Sequence, residues 1–233
     1  MITVHHLNNS RSQRVLWLLE ELALPYEIVR YARDPKTLLA PPTLRSIHPL
    51  GKSPVITDGD ATLAESAAIL EYLVETYART ASDPATPRDP SALTVPTPGT
   101  PAYRLCRYFM HYAEGSLMPL LLMKLVFTKV KTDAPLLIRP IARAIAGRVS
   151  SGFLDPGLAA HLAFLLEHLG KHPWFAGDDF TIADIQMSFA IEVAIARVEG
   201  ANAPKLTDWL AQIKGRPAYR RAIERGGEYS IDV

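Results

Sequence analysis

The stretch Lys52-Ser53-Pro54-Val55-Ile56 decides the fold. A proline opens a short run of β-formers, a position that tolerates its missing N–H. Asp58-Gly59-Asp60 follows as a hairpin turn, and Glu65-Ser66 opens a helix eleven residues after the proline. Upstream, Ile2–Leu7 reads as a strand, while Val15, Leu16, Leu18, Leu19 and Leu22 recur at helical spacing. Pro25 breaks that pattern, and Tyr26–Tyr31 reads as a second strand, so strand, helix and strand have the length of a parallel crossover. A weaker helix is predicted between 36 and 46, limited by Pro41-Pro42. Residues 55–57 and 61–63 flank the hairpin turn, and a helix over 65–77 carries Ala68, Ile69, Tyr72 and Leu73 on one face. The order is βαβαββα.

Residues 81–101 change character: Pro84, Pro87, Pro90, Pro96, Pro98 and Pro101 sustain neither helix nor strand. They read as a linker between one domain over 1–80 and another over 102–233. Beyond it the apolar spacing is helical, with segments near 102–127, 135–149, 155–171, 181–198, 205–214 and 217–225. The expected class is α+β: a thioredoxin-like N-terminal domain followed by an all-α domain.

With 25 Lys and Arg against 24 Asp and Glu, the net charge of +1 gives no reason to expect nucleic acid or an anionic membrane as partner. One cysteine, Cys106, excludes an intrachain disulfide and a CxxC pair and suits a reducing compartment. The first residues lack the basic region and apolar run of a signal peptide, so a soluble, cytoplasmic protein is expected. No His, Cys and Asp grouping has metal-ligand spacing, and no metal is expected. The stretch 138–145 is amphipathic and basic, which suggests a membrane surface. The reading preferred here packs its apolar face on the domain and leaves the arginines solvated.

Taken in order, these motifs resemble the cytosolic glutathione transferase family over essentially the whole chain. Ser10-Arg11-Ser12-Gln13-Arg14-Val15-Leu16-Trp17 is similar to the serine-bearing first helix of theta-like and yeast- or bacterial-type members. His48-Pro49-Leu50-Gly51-Lys52-Ser53-Pro54-Val55 resembles the family's Asn-Pro-x-x-x-Val-Pro run, and Leu63-Ala64-Glu65-Ser66-Ala67-Ala68-Ile69 its Glu-Ser-x-Ala-Ile run. Trp174-Phe175-Ala176-Gly177-Asp178 and Thr181-Ile182-Ala183-Asp184-Ile185 resemble its helical-domain signature. Two departures stand out. His48 replaces the usual asparagine and Ser53 the usual valine, although the residue before the proline acts through its backbone.

The resemblance implies glutathione as co-substrate, a hydrophobic electrophile and a two-fold homodimer. Conjugation needs a thiolate, and a free thiol titrates near ~8.5. Ser10, at the junction of strand and helix, is the residue implied to donate to the sulfur, with Ser12 in reserve. The spacing Ser10-x-x-Gln13 is also a capping box, which accounts for Ser10 without catalysis. Pro54 is expected after a cis bond that exposes the Ser53 backbone to the cysteinyl backbone of glutathione. Ser66 is implied to hold the γ-glutamyl carboxylate and Glu65 its amino group, while Thr62-x-x-Glu65 reads equally as a cap. Lys52 suits the glycyl carboxylate, or is a solvated charge. His111 and Tyr112, beside Glu114 on the first long helix, are implied as electrophile-pocket residues. Thr181 and Asp184 read as a structural cap, and Cys106 as a small core residue. Two other readings remain: a glutathione-binding protein without transferase activity, and glutathione-dependent peroxide reduction.

Overall fold

The computed structural model describes residues 1–37, 39–78 and 92–229. Strands β1 (Ile2–Leu7), β2 (Tyr26–Tyr31), β3 (Val55–Asp58) and β4 (Ala61–Ala64) form one sheet in the order β2-β1-β3-β4. β1 runs parallel to β2, with Ile2 opposite Tyr26, and antiparallel to β3, with His5 opposite Val55. Gly59, at φ +55, supplies the turn between β3 and β4. Helix α1 (Ser12–Glu21) makes the parallel crossover and buries Val15, Leu16, Trp17, Leu18 and Leu19. Helix α2 (Ser66–Tyr77) closes the unit through Ile69, Leu70, Leu73 and Val74. The helix expected between 36 and 46 is reduced to a 3-10 turn, Pro42–Ser46. Pro41 is held extended by the proline after it, so regular helix cannot start earlier.

The second domain is helical. Helix α3 (Pro101–Tyr112) starts on Thr100, whose hydroxyl accepts from the Tyr103 N–H, with proline at the first position. It continues through a π turn, Ala113–Leu117, into α4 (Met118–Asp133). Helix α5 (Arg139–Val149) likewise continues through a π turn, Ser150–Leu154, into α6 (Asp155–Lys171). Each π turn holds a glycine four residues before a proline, Gly115 before Pro119 and Gly152 before Pro156. A proline ring crowds the carbonyl four residues back and brings no N–H, and one wider turn lets the helix pass it. The helices therefore run past the ends expected at 127 and 149.

Helix α7 (Ile182–Arg197) is the buried centre of this domain, flanked by α8 (Pro204–Gly215) and α9 (Pro217–Gly226). The cap expected at its start is formed: Asp184 Oδ2 accepts from Thr181 N at 2.9 Å and Oδ1 from Phe175 N at 2.9 Å. Burial pushes the Asp184 carboxyl up to about 7, while these N–H donors pull it down. Cys106 is a buried free thiol in the core.

The domains share one core, in which Trp17 of α1 meets Phe180 and Tyr219. Arg216 forms a fork on Glu21 at 2.6 and 2.9 Å, and Arg221 and Arg225 both reach Glu20. Residues 81–91 of the expected linker lie outside the described residues. Thr94 N donates to Phe180 O at 2.8 Å, which ties the later part of the linker to the helical domain.

One expectation is overturned. Ile138, Ile141 and Ile145 do not pack on the domain but are exposed. The helical run Arg139–Lys171 is also long and apolar enough, by length and composition, to cross a membrane.

Candidate active site

The sheet register gathers the N-terminal candidates. Val55 pairs with both His5 and Ala64, so continuing each ladder sets Ser53 opposite Leu7 on one side and Ser66 on the other. Leu7 N accordingly donates to Ser53 Oγ at 3.3 Å, and Ser53 Oγ donates to His5 O at 3.0 Å. The Ser53–Pro54 bond is cis, and Pro54 is buried.

Ser10 follows a turn in which Asn9 has φ +50, a conformation asparagine tolerates. The capping box expected at Ser10 and Gln13 is not formed. The first helical residue is Ser12, the capping position is Arg11, and the Gln13 side-chain N and O are buried without a partner among the described residues. Ser10 Oγ lies 2.7 Å from Ser12 Oγ, which lies 2.8 Å from His6 Nδ1. Ser12 N donates to Ser10 Oγ at 3.2 Å. Burial, with the nearby Arg30 charge, pushes His6 down to about 4, and a hydrogen bond donated to the Gly226 backbone acts the other way. The ring is neutral at pH 7. With Gly226 taking its N–H, Nδ1 is the acceptor and Ser12 the donor.

Glu65 has φ +71 and makes no side-chain capping bond, so the Thr62-x-x-Glu65 box is also not formed. Its side chain is exposed, whereas Ser66 is buried at the first turn of α2. Ser66 Oγ accepts from Arg14 Nη1 at 3.2 Å and from Gln186 Nε2 at 3.2 Å, and retains its own proton for donation. Arg14 Nη1 also donates to Glu114 Oε1 at 2.6 Å, and Arg11 pairs with Glu114 Oε2 at 3.1 Å. Arg14 Nε and Nη2 are buried without a hydrogen-bond partner among the described residues. Two guanidinium groups against one carboxylate leave a positive balance beside the N-terminus of α2, a setting that favours a carboxylate.

Models of the glutathione S-transferase N-terminal and C-terminal domains match residues 10–76 and 153–217. Glutathione S-transferase 3 of Schizosaccharomyces pombe is 37% identical over 97% of this chain and 88% of its own. The chain belongs to the glutathione S-transferase family. Among solved structures, a glutathione S-transferase from Actinobacillus pleuropneumoniae aligns with a TM-score of 0.74 at 30% identity, over 100% of this chain and 95% of its own. A glutathione transferase family member from Pseudomonas fluorescens, solved with two glutathione molecules bound, aligns at 0.69 and 25% identity over 96% and 92%.

Relative to this transferase fold, Ser10, Ser12, Ser53, Pro54 and Ser66 lie together at the ends of β1 and β3 and the starts of α1 and α2. Glu65 and Lys52 are exposed on the adjoining loops. His111 is exposed on α3. Tyr112 turns into the helical domain, where its hydroxyl lies 2.5 Å from His161 Nδ1 and its ring stacks on Tyr108. Glu114, in the π turn, is the α3–α4 side chain that reaches α1. Sequence reading left out His6, Arg14, Glu114 and Gln186 as site residues. Arg14 alone carried a signal: it lies three and four residues before Trp17 and Leu18, on the buried stripe of α1.

Proposed function

We propose that this glutathione transferase binds glutathione along the ends of β1 and β3 and joins it through its sulfur to a hydrophobic electrophile. The observation that carries the reading is Ser10, whose Oγ accepts from Ser12 N at the positive end of α1 and is linked through the Ser12 hydroxyl to neutral His6. The Ser10 hydroxyl donates to the sulfur as the thiol proton passes to solvent, and the thiolate forms the new S–C bond while the leaving group departs with the electron pair of the bond that breaks. Ser66 Oγ and the free N–H groups of α2 hold the γ-glutamyl carboxylate, with the Arg14 charge behind them. Glu65 accepts from the γ-glutamyl amino group, the Ser53 backbone pairs with the cysteinyl residue, and Lys52 meets the glycyl carboxylate. Glu114, rather than His111 or Tyr112, stands where the helical domain meets α1. The assembly is proposed to be a cytoplasmic homodimer; the buried single Cys106 suits a reducing compartment.

The test sets three measurements beside one another: turnover with a nitro-substituted aryl chloride, turnover with an organic hydroperoxide, and retention on immobilised glutathione. Aryl turnover with retention is the expected result. Retention without either turnover gives the ligand-carrying reading, and reduction of hydroperoxide alone gives the peroxidase reading.

A further inference from the structure

Between α4 and α5 the chain turns through Asp133-Ala134-Pro135-Leu136-Leu137-Ile138 and presents three consecutive aliphatic side chains to solvent. Leu136 is 77% exposed and Leu137 95%. Exposed apolar residues continue down both arms, as Leu122, Val126 and Val130 on α4 and Ile141 and Ile145 on α5. These follow helical spacing and form one stripe on each arm. Beyond its own continuation toward α6, α5 packs chiefly on α4, so the hairpin projects from the body of the domain. A single exposed leucine is ordinary, but a contiguous patch with a three-residue tip is an interaction surface.

Charge identifies the partner. Residues 118–154 carry Lys124, Lys129, Lys131, Arg139, Arg143 and Arg148 against one acid, Asp133, a net charge of +5, with Lys124 paired to Asp155 just beyond at 2.7 Å. The whole chain is +1, so the remainder is −4. A near-neutral total conceals one strongly basic, apolar face.

We propose that this hairpin tip docks on an anionic lipid surface. Leu136, Leu137 and Ile138 enter the boundary between headgroups and acyl chains, while Lys131, Arg139 and Arg143 meet the phosphates. A second copy of the chain fits less well. A two-fold contact through this face would oppose two patches of like charge, and lysine is depleted from the cores of protein interfaces. An anionic leaflet instead attracts each basic residue near it by about 1 kcal/mol. The proposal does not depend on the chemistry at Ser10.

The test is co-sedimentation of the full chain with phosphatidylcholine vesicles, with and without about one-third phosphatidylserine, across a range of salt. Binding is expected only with phosphatidylserine, weakening as salt rises. The double change Lys131→Gln and Arg143→Gln should lower affinity about thirtyfold, from two exposed charges near the surface. Leu136→Ser with Leu137→Ser should lower it at least as much. Both variants should keep the wild-type melting temperature, because the replaced side chains face solvent. Absence of phosphatidylserine-dependent binding, or unchanged binding by both variants, overturns the proposal. So does a wild-type dimer that the leucine variant converts to monomer with no vesicle binding, since the face then belongs to a second copy.

Discussion

Ser10 Oγ lies 2.7 Å from Ser12 Oγ, and only Ser12 reaches the imidazole of His6. The two hydroxyls therefore differ in what they can do. Ser12 gives its proton to His6 and is wholly enclosed, 0% exposed against 5% for Ser10, so it is an acceptor for Ser10 and not a donor to a ligand. Ser10 has its proton to direct, to Ser12, to Ser53 Oγ at 3.5 Å, or outward to a sulfur.

Ser10→Ala should lower kcat about 10²-fold while glutathione affinity changes little, because the lost bond matters once charge has developed. Ser12→Ala removes the competing acceptor and the partner of His6 Nδ1, but not the donor to the sulfur, and should cost less than tenfold in kcat. Steady-state kinetics with the pH dependence of the bound thiol decide this. If Ser12→Ala carries the larger loss, the donor is Ser12 and the direction assigned to the chain is reversed.

His6 predicts a dependence of stability on pH. Its pKa is pushed from 6.5 down to about 4 by burial, so the unfolded chain binds this proton more tightly than the folded one. Stability should fall as pH drops from about 6.5 and level off below about 4, by about 3 kcal/mol from this group. Asp184, pushed up to about 7, acts in the opposite sense, so the measurement is the difference between wild type and His6→Gln. Urea unfolding at several pH values should show a shallower acid loss in the variant. Parallel curves would mean that His6 takes up its proton as readily in the fold as in the unfolded chain.

The parts legible in sequence are those set by neighbours along the chain. The Thr181 and Asp184 cap, the Gly59 turn and the run from Ser53 to Ser66 depend on spacings of a few residues, and the structure forms all three. Two capping boxes with equally good spacing, at Ser10 and Thr62, are not formed because other bonds take those residues. Ser10 turns to Ser12 and Ser53, and Thr62 lies within β4. The cluster around Arg14 depends on Glu114 and Gln186, which only the folded helical domain brings to α1 and α2. The exposed hairpin tip escaped because periodicity finds an apolar stripe but does not say what covers it.

Arg14 should prove a stability residue as well as a site residue. Glu114→Gln removes the carboxylate from a buried guanidinium, and an uncompensated buried charge costs about 3 kcal/mol. Arg14→Met with Glu114→Gln should recover much of that loss while leaving glutathione binding weak, because Ser66 then lacks the charge behind it. A double-mutant cycle by chemical unfolding, with calorimetric titration of glutathione, reads both. Additive stability losses would show that the pair is not coupled.

Gly226 sets the closeness of α9 to α1. A Cβ there would lie 2.6 Å from Leu16 Cδ1 and 2.8 Å from Gln13 Oε1, both on buried side chains. Gly226→Ala should therefore push α9 outward and cost about 1–3 kcal/mol, as overpacking does. It should also disturb the backbone bond to His6, so the variant's thiol pKa should move with its stability. Thermal unfolding with no loss would mean that Leu16 repacks at no cost.

Glu65 separates binding from folding. At φ +71 and ψ 120 a side chain is strained by about 1–3 kcal/mol, and the residue is exposed and makes no capping bond in return. Glu65→Ala keeps a Cβ and therefore keeps the strain, so its stability should match wild type while its glutathione affinity falls. Glu65→Gly relieves the strain at some cost in chain entropy and should raise stability by about 1 kcal/mol, with the same loss of affinity. Calorimetric titration and thermal unfolding of the two variants read these separately. A glycine variant less stable than the alanine one would show that Glu65 contributes to the fold, and normal affinity in both would remove it from the γ-glutamyl site.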